Sequence, residues 1–232
     1  STSISGNDDL VLEYATQAMQ MKGGANGTEC SYYSAYNRAH RALIIVLPNV
    51  KCYAGTCYLT WRSSYTEDYA DSYSIAYCSL GSDDTGRECK YTLLHEAGGH
   101  GFAKLGDEYI YHNAFIDACG CSCCGHVDEF YMAKAMGWFE NLSLTGRMNN
   151  VPWSHLIFHE KYNQIVDIFE GGFMHTRGVF RSEQNSCMNN NIPYYSTISR
   201  ETIVKRIKAI AGEVYNFEDF VANDVLDAGT VE

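Results

Sequence analysis

The segment His95-Glu96-Ala97-Gly98-Gly99-His100 constrains this chain more than any other stretch of it. Two imidazoles and a carboxylate this close together are the raw material of a zinc hydrolase site. In such a site two His share one helical face, and the Glu after the first acts as general base. The usual spacing is His-Glu-x-x-His, an offset of four, which leaves the rings about 40° apart around the helix. Here the offset is five. On a regular α-helix His100 would lie roughly 140° round from His95, and the two could not reach one ion. A π-bulge absorbs one extra residue, and Gly98-Gly99 is the natural place for it. Each Gly costs about 1 kcal/mol against Ala inside a helix, so a pair calls for a reason. The spacing therefore predicts a helix over residues 91–105, with a distorted turn at Ala97 to Gly99 that returns His95 and His100 to one side.

A third ligand is expected soon after. Gly106 can take a positive φ and turn the chain back, and Asp107 follows at once. Glu108 is the neighbouring alternative. Three protein ligands would leave one coordination position open, the mark of a catalytic rather than a structural zinc. The competing reading makes these ordinary helix residues; Gly106-Asp107 and the acidic run ending at Tyr109 weigh against it.

Around this segment the pattern outlines an α/β (α+β) domain with a mixed, twisted sheet. Asp8 or Asp9 can cap a first helix that Gly23-Gly24 ends. Leu43 to Leu47 is a short apolar run closed by Pro48 and reads as a buried central strand. Cys57 to Arg62 and Ser74 to Leu80 read as strands, and Asp128 to Met136 as a helix. A C-terminal helix is expected from Arg200 to Val214, with Ser199 as cap and Ile203, Ile207, Ile210 and Val214 as its apolar stripe. The 232 residues fit one catalytic domain, 1–232, and the late start of the zinc helix suggests part of a longer precursor.

Composition narrows the partners. The net charge of −11 argues against nucleic acid, whose phosphates call for clustered Lys and Arg. No apolar run reaches the roughly 18 residues of a membrane span. Ten cysteines favour an oxidising compartment, hence a secreted, periplasmic or cell-surface protein, over a cytosolic chain with free thiols or a structural zinc. Cys52 with Cys57 and Cys78 with Cys89 are candidate disulfides. Cys119, Cys121, Cys123 and Cys124 are expected to staple their loop elsewhere, since a zinc ribbon needs two separated Cys pairs. His155 and His159 form a rival i, i+4 pair, but Glu160 follows the second His, the wrong place for a general base. Asp83 and Asp84 could bind calcium, although turn acids are usually just solvated. Nothing sets an oligomeric state.

The segment resembles the bacterial IgA-peptidase family of zinc metallopeptidases, which carry His-Glu-x-Gly-His, then Phe-Ala-x-Leu and Asp-Glu-Tyr. Here His100, Phe102, Ala103, Leu105, Asp107, Glu108 and Tyr109 match, and the extra Gly departs from the pattern. Gly137 to Asn141, Val151 to His155, Glu170 to Gly172, Gly178 to Arg181 and Ser182 to Asn190 look like later family segments. The likeness runs from about Leu43 to the last helix. It implies a metzincin-like domain with an active-site helix and a C-terminal helix. His95, His100 and Asp107 would hold zinc, with Asp where many relatives have His. Glu96 would be the catalytic base, and Met188 the methionine turn, a hydrophobic floor beneath the ion. Glu108, Tyr109 and His155 would line the cleft or support the ligands. Tyr194 or Tyr195 would stabilise the oxyanion, as a Tyr after the Met turn does in some related peptidases.

The expected activity is zinc-dependent endopeptidase cleavage of a protein or peptide substrate, with extracellular proteins as targets. Two other readings stand beside it: a catalytically silent, metal-stabilised binding domain for a host or envelope glycoprotein, and a disulfide-stapled interaction module without metal.

Overall fold

The computed structural model describes residues 4–22, 31–50, 52–60, 73–81, 88–117 and 125–225. It divides into two units, Ser1–Phe102 and Ala103–Glu232. The expected helix stop at Gly23-Gly24, the end of the second strand at Trp61-Arg62, the Asp83-Asp84 pair and the Cys119 to Cys124 loop lie outside the described residues.

In the first unit, α1 (Asp8–Lys22), α2 (Tyr32–Ala39), β1 (Leu43–Val46), β2 (Gly55–Thr60), β3 (Tyr73–Cys78) and α3 (Cys89–Leu93) lead into a π-helix, Leu94–Phe102. Asn7, not Asp8 or Asp9, caps α1: its side chain accepts the Leu10 N–H at 3.1 Å, and the two acids occupy the first turn. The strand order is β1-β3-β2, with β1 parallel and β2 antiparallel to β3, so the sheet is mixed. The centre belongs to β3, not to the Leu43 run. Ser74 to Cys78 are all buried, whereas β1 forms an edge with Ile45 exposed. A four-residue apolar run records burial pressure but not how many neighbours a strand has, which is why the two were exchanged.

The period-two alternation of β3 divides its work. Ile75 and Tyr77 pack with Leu12 of α1 on one face. Ala76 and Cys78 pack with Ala97 of the π-helix on the other. Tyr77 also donates its hydroxyl to Asp8 at 2.7 Å, pinning the start of α1.

The second unit contains β4 (Ile110–Phe115), α4 (His126–Ala135), β5 (Leu142–Ser143), α5 (Ser154–Ile157), β6 (Phe169–Gly172), β7 (Met174–Arg181), α6 (Cys187–Asn190), α7 (Thr197–Ala211) and α8 (Phe217–Asn223). Here β7 is central, parallel to β4 and antiparallel to β5 and β6. The mixed α+β class holds in both units.

The C-terminal helix differs from the expected pattern. Ser196 holds the cap position, and its hydroxyl hydrogen-bonds with that of Ser199, which lies inside the helix. Thr197, Ile198, Ser199 and Glu201 are buried, while Ile207, Ile210 and Val214 are exposed. Helical period identifies which residues share a face, but not which end of the helix the core covers.

Among the described cysteines, Cys52, Cys57, Cys78, Cys89 and Cys187, no disulfide is formed, so neither local pairing is present. Cys78 is turned into the core and donates to the Thr92 carbonyl at 4.0 Å, while Cys52 is exposed. Among the described residues no helix is long and apolar enough to cross a membrane.

Ile198 carries α7 into the core cluster of Trp153, Leu156, Tyr162 and Phe220. Ile198→Ala is expected to lower stability by about 2–5 kcal/mol, read from denaturant unfolding.

Candidate metal centre

The distorted turn expected at Ala97 to Gly99 is a π-helix nine residues long, Leu94–Phe102. Its i→i+5 hydrogen bonds bring residues five apart towards one face, the correction that a five-residue spacing needs. His95 Nε2 and His100 Nε2 lie 3.2 Å apart, with ring centroids at 4.8 Å and planes at 76°. Two imidazoles on a tetrahedral zinc, with Zn–N of about 2.0–2.1 Å, would hold their nitrogens about 3.3 Å apart.

Glu96 lies on the same helix beside β2. A Cβ on Gly55 would sit 2.7 Å from both Glu96 Cγ and Glu96 Oε1 and would also strike Thr92. Gly55 is therefore the space into which the Glu96 side chain fits. The neighbouring Cys78 thiol is pushed up to about 12, first by burial and then by the charge of Glu96.

The chain leaves the helix differently from the expected route. The positive φ falls on Lys104, at 57°, and not on Gly106. Gly106 is needed for room instead: a Cβ there would lie 2.5 Å from Leu142 Cδ1 and 3.1 Å from the Phe139 ring. Asn141 clamps this glycine. Its Oδ1 accepts the Gly106 N–H at 2.9 Å, and its Nδ2 donates to the Gly106 carbonyl at 2.8 Å.

Beyond the clamp the chain is held on both sides. The Asp107 carbonyl accepts from Phe173 N–H at 2.8 Å, and the Glu108 N–H donates to the Met188 carbonyl at 2.8 Å. Met188 is fully buried. Its turn is thus bonded directly to the residue after Asp107.

Asp107 and Glu108 go to opposite environments. Glu108 is fully buried; Asn141 Nδ2 donates to its Oε1 at 2.8 Å, and Ser186 Oγ donates to its Oε2. Burial pushes its carboxyl up to about 7 against these hydrogen bonds. Glu108 is a buried strut, with a donor on each of its carboxylate oxygens. Asp107 is only half-buried, and Tyr109 donates its hydroxyl to Asp107 Oδ2 at 2.8 Å. Along the continuous stretch from His95 to Asp107, one ligand atom from each of His95, His100 and Asp107 comes within 4.8 Å of the others. Two imidazoles and one carboxylate suit zinc.

The remaining candidates have other partners. His155 Nε2 bonds to Glu201 Oε2 at 2.9 Å, and Glu201 also receives Lys205 and the Tyr215 hydroxyl. His155 therefore ties α5 to α7. It does not pair with His159 around an ion: the α5 helix ends at Ile157, and the two rings stand 5.2 and 5.6 Å from Phe217. Tyr194 donates to Glu183 Oε2 at 2.7 Å beneath the Arg200 guanidinium. Tyr195 lies beside the Cys187 thiol, and burial holds its hydroxyl well above the usual range.

Sequence reasoning missed Gly55 altogether, and it matched the segments holding Asn141 and Ser186 to the family without giving either residue a role. Asn141→Ala would strip the Gly106 N–H and carbonyl and Glu108 Oε1 of their Asn141 partner. It is expected to cost at least about 1–3 kcal/mol, read as a fall in melting temperature, and an unchanged melt would remove Asn141 from this role. No protein-family model and no curated protein matches the chain.

Proposed function

We propose that the chain is a zinc-dependent endopeptidase of the metzincin-like kind, as its resemblance to the IgA-peptidase family implies. The observation that carries this reading is the convergence of His95, His100 and Asp107 ligand atoms within 4.8 Å, built on a helix whose register suits a five-residue spacing. In this reading those three residues hold the ion. Zinc supplies Lewis acidity, acidifying water and polarising a carbonyl.

The chain's own residues supply the rest. Glu96, next to His95 in sequence, takes a proton from the attacking water and passes it to the leaving amine. Gly55 leaves the space that Glu96 occupies. Tyr109 orients the Asp107 carboxylate, and the buried Glu108–Asn141–Ser186 network sets the backbone on which Asp107 is displayed. In this reading Met188, buried, is the apolar side chain of the turn whose carbonyl accepts the Glu108 N–H. The substrate is an exposed segment of a protein or peptide; its extracellular origin rests on the cysteine count alone.

Glu96→Gln is expected to keep zinc and lose roughly 10²–10⁴-fold in hydrolysis of a generic protein substrate, in an assay that chelator abolishes. Undiminished hydrolysis by that variant would exclude Glu96 as the base, and a wild type that binds zinc without cleaving would favour a silent binding domain. His100→Ala should lose the ion, measured by metal content. Gly55→Ala should retain zinc while kcat falls, up to about 100-fold, because the Glu96 carboxylate is displaced.

A further inference from the structure

Three histidines outside the candidate centre meet in the second unit. His112 lies on β4, His175 on β7 and His126 at the first position of α4. His112 and His175 are register partners across the parallel β4–β7 pair. His126 Nδ1 is 3.0 Å from His175 Nε2. The ring centroids are separated by 5.3 Å for His126–His175, 5.6 Å for His112–His175 and 6.4 Å for His112–His126.

From these distances and the state of His175, we infer that His112, His126 and His175 form a second metal site, for a divalent transition ion of zinc's borderline softness.

Three imidazoles on a tetrahedral ion, with metal–nitrogen bonds of about 2.0–2.1 Å, place their ring centroids about 5.2 Å apart. Two of the three observed separations are already within half an ångström of that value. The third closes if His112 moves by about 1 Å. The strand allows this, because β4 shifts register between Ile110 and His112 and again between His112 and Phe115. Irregularities of this kind re-aim side chains and cluster beside functional sites.

A second observation points to a ligand. His175 is fully buried, and its Nδ1 has no hydrogen-bond partner. A buried ring nitrogen without a partner costs about 1–3 kcal/mol, so this ring is under-satisfied as it stands, and the nitrogen that faces His126 and would take the ion is Nε2. Imidazole donors select zinc, copper or nickel over magnesium and calcium, which prefer oxygen. The Phe173 ring, 5.7 Å from His126, gives the cluster an apolar edge.

The experiment is zinc titration of the purified full chain, with stoichiometry from metal analysis and the ions located by anomalous scattering. A chain carrying His100→Ala, which disables the first centre, should still bind one zinc at the three histidines. Adding His126→Gln, or separately His112→Gln, should weaken that binding at least about tenfold. His112 and His126 are only partly buried, so these variants keep the fold where a change at His175 would not, and circular dichroism checks this. A His100→Ala chain with no zinc at these histidines would overturn the site, as would His126→Gln binding zinc as tightly as its parent. Failure of the peptidase reading changes neither outcome, since no measurement depends on hydrolysis.

Discussion

In a π-helix each backbone N–H reaches back five residues, and side chains five apart are brought to the same face. His95 and His100 depend on that change of register. Such helices are rare because their backbone geometry is poorer than that of an α-helix, so something must compensate. Here Ala97 is buried against Ala76 and Cys78 of the central strand. A Cβ on Gly101 would run into Leu43. A metal bound by both rings would add to that compensation, since binding energy at a site absent from the unfolded chain is also folding energy.

The second constraint is a buried carboxylate. Glu108 sits where no water reaches and is satisfied by Asn141 and Ser186, residues far from it in sequence. An unpaired carboxylate there would be costly, so the three groups must arrive together or not at all. Their arrival fixes the backbone from Gly106 to Tyr109 and sends the adjacent Asp107 towards Tyr109 instead of inward. One of two neighbouring acids becomes a buried strut, and the other stays half-buried beside Tyr109. Their types alone do not separate them; their surroundings do.

The second unit also gathers histidines, here mainly on strands. β7 carries His175 between β4 and the antiparallel strands β5 and β6, and α4 presents His126 to it. His155, by contrast, spends its nitrogen on Glu201 and orients the start of α7. A histidine at the right distance from a motif can thus belong to packing, while three that no motif connects can converge.

Local pattern was enough for the features that depend on local pattern. The offset of five between His95 and His100, with two glycines inside it, called for i→i+5 geometry, and the structure contains it over a longer span. The strands near 43, 57 and 74 and the helices near 8, 128 and 200 were legible within a few residues, because hydrophobic period reports which face is covered. The mixed α+β class followed from their order. What the chain could not disclose by itself is whatever forms between segments distant in sequence: the central place of β3, the turn at Lys104 in place of Gly106, the room at Gly55 for Glu96, the clamp from Asn141 and the hydroxyl of Ser186. Those contacts join residues 33, 35 and 78 positions apart around Gly106 and Glu108. Their partners are chosen by which buried polar groups must satisfy one another once the strands have paired, and no spacing within a single element records that choice.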